Sequence, residues 1–248
     1  MLVPRIIAET DEILVVDKPA GLIVHSDGRT IEPSLADWVA KEYPALSGAG
    51  RPSTGAGHGS VGVWVSPQGE RVQLNGIVHR LDRTTGGVVL VAKTEEMFAY
   101  LKNEFKERRV EKTYRAIVHG HMESESGKIV AEIMRSSEPP RRWYARPCEE
   151  SENRAAITEW RLLKKLEDKD TGEAVSYVEV QPKTGRTHQI RVHFASIGHP
   201  LVGDRLYSER PPLLGFKRPA LHAYSILFTL NGKKAMFTAP LPPDFPSL

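Results

Sequence analysis

The sequence predicts an α+β protein with a mixed, mainly antiparallel sheet and flanking helices. Three observations lead there. Short apolar runs with period-two alternation outnumber stretches with helical spacing. The connections between them are mostly of hairpin length. Strands and helices also do not alternate regularly, as a doubly wound parallel sheet would require. The 248 residues, 40% hydrophobic and 26% charged, have the makeup of an ordinary soluble globular protein. They suffice for one sizeable core, and the chain reads as a single domain over residues 1–248.

The elements follow in order. Residues 13–17 read as a short buried strand, turned by Lys18-Pro19-Ala20-Gly21. Ser34 is placed to cap a helix that carries Leu35, Trp38 and Val39 on one face and stops at Pro44. Residues 46–76 form a Gly-rich loop or insertion, with residues 61–65 able to make a strand; no phosphate-cradle pattern stands between a strand and a helix there. Residues 77–79 and 88–91 read as two strands flanking a charged turn. Thr94 caps a helix with Glu95 and Glu96 in its first turn, Met97, Phe98, Leu101 and Phe105 toward the core, and Lys106, Arg108 and Arg109 at its end. Residues 113–118 alternate, placing Tyr114, Ala116 and Val118 on one strand face. The stretch 121–154 is polar. Strands follow at 157–166 and 174–180, then a helix carrying Ile190, Phe194 and Ile197 and ending at Gly198, then strands at 221–230 and 235–237.

The net charge of +3 permits a polyanionic partner without requiring one. Its distribution says more. Lys102, Lys106, Arg108, Arg109, Lys112 and Arg115 crowd one region, which reads either as a phosphate-binding surface or as a well-terminated helix. Arg141, Arg142 and Arg146 interleave with Trp143 and Tyr144, a pattern suited to single-stranded nucleic acid or to a packed surface pair. The single cysteine, Cys148, excludes an internal disulfide and a thiolate metal cluster. No signal-peptide core and no apolar run of membrane-spanning length is present, so no membrane association and a cytoplasmic location are expected. His188, His193 and His199 lack metal-ligand spacing, so no metal is expected.

The run His79-Arg80-Leu81-Asp82-Arg83-Thr84-Thr85-Gly86-Gly87 carries the most information. It sets one carboxylate between two arginines, ahead of an apolar strand. Flanking cations favour an ionised carboxylate, the form that a nucleophile or general base needs. Taken alone, the run reads equally well as a surface turn with a salt bridge.

Three more segments accompany it in order: residues 16–22 (Val-Asp-Lys-Pro-Ala-Gly-Leu), residues 111–116 (Glu-Lys-Thr-Tyr-Arg-Ala), and residues 184–193, running on through Gly198-His199-Pro200 to Gly203-Asp204. Together the four resemble the RluA-type pseudouridine synthases, which isomerise uridine to pseudouridine within RNA. The likeness covers nearly the whole chain. It implies the pseudouridine synthase catalytic fold, no cofactor, and a structured rRNA or tRNA as partner. It implies Asp82 as the catalytic aspartate, with Tyr114 packing against the target base and Arg191 pairing with the carboxylate. Arg80 would enter the RNA where the base leaves, and Ile190 would wall the base pocket. His79, Arg83, Lys112 and Arg186 are expected to contact substrate. A monomer is expected, and no DNA partner. A catalytically inactive RNA-binding protein of the same fold is the alternative, as is hydrolysis of an N-glycosidic bond; the latter usually needs a second carboxylate.

The chain departs from the family pattern in two places. Thr84-Thr85-Gly86-Gly87 stands where the family usually has Thr-Ser-Gly-Leu, so Gly87 should loosen the strand start. The 46–76 stretch looks longer than the usual link. With no S4-type extension read at the N-terminus, RNA binding is expected to rest on the catalytic domain.

Overall fold

The computed structural model describes residues 2–26, 32–46, 63–65, 71–137 and 142–246. They fall into two compact units, Met1–Val110 with Ile226–Pro240, and Glu111–Ser225 with Leu241–Leu248. All strand pairs described below are antiparallel, in keeping with the predicted class.

In the first unit β1 (Arg5–Glu9) pairs with β2 (Ile13–Lys18). The turn between them is closed by Thr10, whose Oγ1 accepts the N–H groups of Glu12 and Ile13. β2 is apolar and fully buried from Ile13 to Val16, as a run without alternation should be when covered on both faces. Next comes α1 (Leu35–Glu42). Ser34 caps it as predicted and forms a full capping box: its Oγ accepts the Asp37 N–H, and the Asp37 carboxylate accepts the Ser34 N–H at 2.8 Å. The helix ends at Tyr43, and Pro44 opens a short 3-10 turn. β3 (Val63–Val65) and β4 (Arg71–Gln73) form a hairpin. The rest of the Gly-rich segment, 47–62 and 66–70, lies outside the described residues.

β5 (Gly86–Ala92) pairs with β2 in the register Ile13↔Ala92 to Lys18↔Gly87 and is buried throughout. The strand expected at residues 77–79 does not form. Ile77 makes one bridge to Val91, and then the His79 side chain takes over: its Nε2 accepts the Leu90 N–H at 3.0 Å. A side chain thus occupies a ladder position and frees the backbone to turn toward Asp82. Gly87 has φ +118°, a conformation that disfavours any other residue, at the spot where the sequence departs from the pattern of the family it resembles. α2 (Glu95–Lys106) is capped by Thr94, whose Oγ1 accepts the Met97 N–H, and Met97 and Leu101 are buried as predicted.

The second unit contains β6 (Glu111–His119), β7 (Ser126–Arg135), β8 (Trp143–Pro147), β9 (Ala155–Glu167) and β10 (Ala174–Pro182). Their order is β6-β10-β9-β7-β8. Two apolar clusters lie on opposite sides of it. Ala116 and Val118 of β6, with Val178 and Val180 of β10, pack with Ile190 and Phe194 of α3 (Gln189–Ser196), and Tyr114 packs against this group. Ile117, Val175 and Tyr177 pack instead with Val202, Phe216 and Phe245. Ile197 was expected on the buried face of this helix. It is 40% exposed, because the helix has ended one residue before it. The sequence reading also missed β1, and it missed β7, whose apolar residues are diluted by Lys128, Glu132 and Arg135.

β11 (Leu221–Leu230) starts in the second unit and finishes in the first, where a turn at Asn231-Gly232 returns the chain into β12 (Lys233–Thr238).

One turn in the second unit has no slack. Gly203 has φ +73°, and a Cβ placed on it would lie 2.3 Å from the carbonyl oxygen of Arg218. Gly203→Ala should therefore cost at least about 1–3 kcal/mol for the left-handed conformation alone. A thermal melt should show Tm lowered by several degrees; an unchanged Tm would contradict this turn geometry.

Candidate active site

In the first unit the sequence places His79, Arg80, Asp82 and Arg83 on one turn, and the structure shows what shapes it. The Asp82 carbonyl accepts the Thr85 N–H at 3.1 Å, and the Gly21 N–H donates to the Arg83 carbonyl at 2.7 Å. Lys18, completely buried, donates from Nζ to the carbonyls of Leu22 (2.8 Å), Pro19 (3.1 Å) and Arg83 (3.5 Å). A buried ammonium is tolerated only with such partners. It ties the turn at 18–22 to the turn that presents Asp82. Asp82 is half-buried and Arg80 exposed. His79 is held from two sides, through the Leu90 bond and by its ring stacked on Phe105 at 4.7 Å. Arg83 pairs with Glu32 at 2.6 Å on the surface. Burial, aided by the charges of Arg80 and Lys102, pushes His25 down to about 4.

The second unit contains Lys112, Tyr114, Arg186, Ile190 and Arg191. Tyr114, half-buried, and Ile190 share one apolar cluster. Lys112 Nζ donates to the Thr184 carbonyl at 3.3 Å. Gln189 organises the loop that carries Arg186. Its side-chain carbonyl accepts the Thr184 hydroxyl (2.7 Å) and the Arg186 N–H (3.0 Å); its amide donates to the Ile157 carbonyl and to Thr158 Oγ1. All of its hydrogen-bonding positions are thereby used.

Arg191 is 6% exposed and gripped by Asp204, which is 2% exposed. Nε donates to Oδ2 at 2.7 Å and Nη2 to Oδ1 at 2.8 Å. The Tyr207 ring lies 5.0 Å from the guanidinium carbon, and its hydroxyl lies 2.7 Å from His188 Nδ1. His188 itself has φ +55° at the start of α3, with no side-chain cap. A guanidinium has five N–H donors, and the Asp204 fork accounts for two. Sequence reasoning did not assign Asp204, Tyr207, Gln189 or Lys18 a part in the site. A lysine ending an apolar strand and an aspartate following a glycine were the available signals.

The basic region at residues 102–115 divides on inspection. Arg109 makes a two-pronged contact to Glu104 (2.9 and 2.6 Å), and Arg115 is buried against Glu179 with its guanidinium over the Tyr224 ring. Arg115 is thereby spent within the fold, so the cluster does not face phosphates as a whole, whereas Arg109 keeps half of its side chain exposed. Lys102 and Lys106 remain exposed. In the second cluster Arg141 lies outside the described residues, and Arg146 and Arg154 both bind Glu132. The histidines considered for metal have separate partners: His188 has Tyr207, His193 has Thr158, and His199 has the His119 carbonyl. Burial pushes His193 down to about 4. Among the described residues no group of three or more His, Cys, Asp or Glu is arranged to hold a metal, and no helix is long and apolar enough to cross a membrane.

Comparison with known proteins fits this geometry. A family model described as RNA pseudouridylate synthase matches residues 12–196. An uncharacterized RNA pseudouridine synthase of Synechocystis is 33% identical over 98% of this chain and 67% of its own length. The ribosomal large subunit pseudouridine synthase D of Zymomonas mobilis is 32% identical over 97% of this chain and 70% of its own. Among solved structures, human RNA pseudouridylate synthase domain containing 1 superposes with a TM-score of 0.70 at 26% identity, over 97% of this chain and 84% of that one. The chain spans 55–70% of the length of its curated relatives. It belongs to the RNA pseudouridylate synthase family, of RluA type, and so to the isomerases that convert uridine to pseudouridine in RNA.

Removing Asp204 would leave the Arg191 charge buried without its carboxylate. Breaking a buried pair in this way costs about 3–5 kcal/mol. Asp204→Ala should lose stability on that scale in urea denaturation, and Arg191→Lys should lose part of it, because an ammonium cannot reproduce the planar fork. Wild-type stability in both variants would refute the two-pronged contact.

Proposed function

We propose that this enzyme isomerises a uridine in structured ribosomal RNA, with Asp82 as the catalytic carboxylate and Tyr114 and Arg191 serving the same reaction. The observation that carries the reading is the presentation of Asp82 on a turn held by a buried lysine, in a chain of this family. The ribosomal RNA assignment is supported by curated relatives named for the large ribosomal subunit. A transfer RNA is the competing substrate, and cytoplasmic action as a monomer goes with either.

The chemistry needs little machinery. The N1–C1′ bond breaks, the base turns, a C5–C1′ bond forms, and C5 gives up the proton that N1 takes; the mass of the RNA does not change. The target base must first leave its stack. Asp82 acts on the ribose as nucleophile or on the substrate as base. The Tyr114 ring, carried on a rigid strand, offers a face for the flipped base, and Ile190 an apolar wall. Arg191, fixed by Asp204, supplies a positive charge whose direction is set before substrate arrives. Arg80 occupies the gap left by the base, while Lys112 and Arg186 meet phosphates. His79 and Arg83 hold the shape of the turn.

Wild-type enzyme should convert uridine in large-subunit ribosomal RNA and leave its mass unchanged, as read by chemical mapping and mass spectrometry. Asp82→Asn should reduce turnover by roughly 10²–10⁴-fold or more while RNA affinity stays within a few-fold. Turnover near wild type would remove Asp82 from its role. Loss of uracil would indicate hydrolysis, binding without isomerisation an inactive protein, and conversion confined to transfer RNA would move the substrate.

A further inference from the structure

Besides the site residues, the second unit contains a cleft of about 400 Å³ lined by Glu132, Ile133, Trp143, Arg154, Gly185, Arg186 and Thr187. Its floor and rim differ in chemistry. Glu132 is 7% exposed and binds two guanidiniums: Arg146, and Arg154 at 3.2 Å. The side chains of Arg146 and Arg154 are themselves 49% and 65% exposed. One sunken carboxylate therefore anchors two outward cations and leaves a surplus positive charge. Arg186 and Thr187 add an exposed cation and a hydroxyl to the lining, on the loop that Gln189 fixes.

The same cleft is lined by Trp143, half-buried, at the start of β8. Its strand is pinned: Trp143 pairs with Arg135 of β7, and the Trp143 backbone N–H donates to the Tyr207 hydroxyl at 3.3 Å. The backbone at Gly185 is bare, and a Cβ built there would meet nothing within 4 Å. A flat ring, an apolar wall at Ile133, two exposed guanidiniums and an approachable backbone suit one stacked base with its neighbouring phosphates.

We propose that this cleft is a nucleotide subsite for a single-stranded segment of the RNA substrate, with one base stacked on Trp143 and phosphates held by Arg154 and Arg186. The proposal rests on the RNA reading above but not on turnover. The subsite recognises strand chemistry rather than base identity, because any base offers a π-face and the contacts at its rim are to phosphate. It would hold a flanking unpaired segment while the target uridine is processed. Arg191 is gripped within the same unit by the network that also pins Trp143, since Tyr207 touches both residues.

The test uses the full chain carrying Asp82→Asn, so that substrate is bound without being converted. A uridine hexanucleotide is titrated while tryptophan emission is followed. Stacking should quench that emission, and Trp143→Phe in the same background should remove most of the quench while keeping affinity within a few-fold. Trp143→Ala should weaken binding by about 5- to 150-fold, the equivalent of 1–3 kcal/mol per stacked base. Arg154→Gln with Arg186→Gln should lower the slope of log K against log salt by about 0.7 for each phosphate that is no longer neutralised. The Phe variant keeps the proposal testable if the Ala variant fails to fold. An unaltered quench in Trp143→Phe, or an unaltered salt slope in the arginine pair, would overturn it. If wild-type enzyme isomerises RNA but these results fail, the subsite alone is wrong. If the quench is seen but no isomerisation, the cleft stands as an RNA site and the catalytic reading falls.

Discussion

The constraint on which the second unit depends is the burial of Arg191. A guanidinium at 6% exposure must be matched by charge and by hydrogen bonds, or its desolvation would unfold the region. Asp204 meets that need with both oxygens, and the meeting dictates much else. Asp204 follows Gly203, whose left-handed backbone brings the chain against the Arg218 carbonyl. Tyr207, one turn on, sets its ring beside the guanidinium and its hydroxyl on His188, which stands left-handed where α3 begins. The helix is thus started by tertiary contacts rather than by a capping side chain. Gln189 and His193, on the same helix, tie it to Thr158 of β9. Such a helix keeps its arginine in one orientation, with its guanidinium forked on Asp204.

The first unit solves a similar problem with the opposite partners. Lys18 is buried with its ammonium on backbone carbonyls, and these belong to the two turns that must sit side by side. Ionic hydrogen bonds are stronger than neutral ones in such surroundings. The loop that bears Asp82 is then held through its own backbone carbonyl at Arg83. His79 contributes in the same way, since its ring nitrogen replaces one rung of the ladder at Leu90 and lets the strand give way to the turn.

Local signals were legible where one short-range interaction decides the outcome. Ser34 and Thr94 announce their helices because a cap needs only the next three residues. The apolar runs of β2 and β5 announce buried strands because nothing polar interrupts them. What could not be read depended on distant partners. Residues 77–79 have the composition of a strand, and only the His79–Leu90 contact shows why they are not one. Arg115 reads as part of a basic cluster until Glu179, sixty-four positions away, is seen to bury it. β7 is hidden because Glu132 occupies a buried place in a strand, a pattern that makes sense only with Arg146 and Arg154 beside it. Within the site, the residues legible from sequence were those on motifs. The groups that hold them, Lys18, Gln189, Asp204 and Tyr207, carry no reactive pattern of their own.

The arginines show how a formal charge of +3 becomes a surface that RNA can use. Counting basic residues treats Arg109, Arg115, Arg146 and Arg154 alike, although each contacts a carboxylate. The difference lies in which partner faces water. Arg115 and Glu179 are both mostly covered, at 11% and 17% side-chain exposure, so that pair presents little to a ligand. At Glu132 the acid is at 9% and its two arginines are outside, so the carboxylate orients guanidiniums without neutralising the pair. An incoming phosphate there would meet donors already ordered, and it would sacrifice less side-chain entropy than on a free lysine. The buried acid therefore strengthens the case for an anion site where a simple charge count would weaken it.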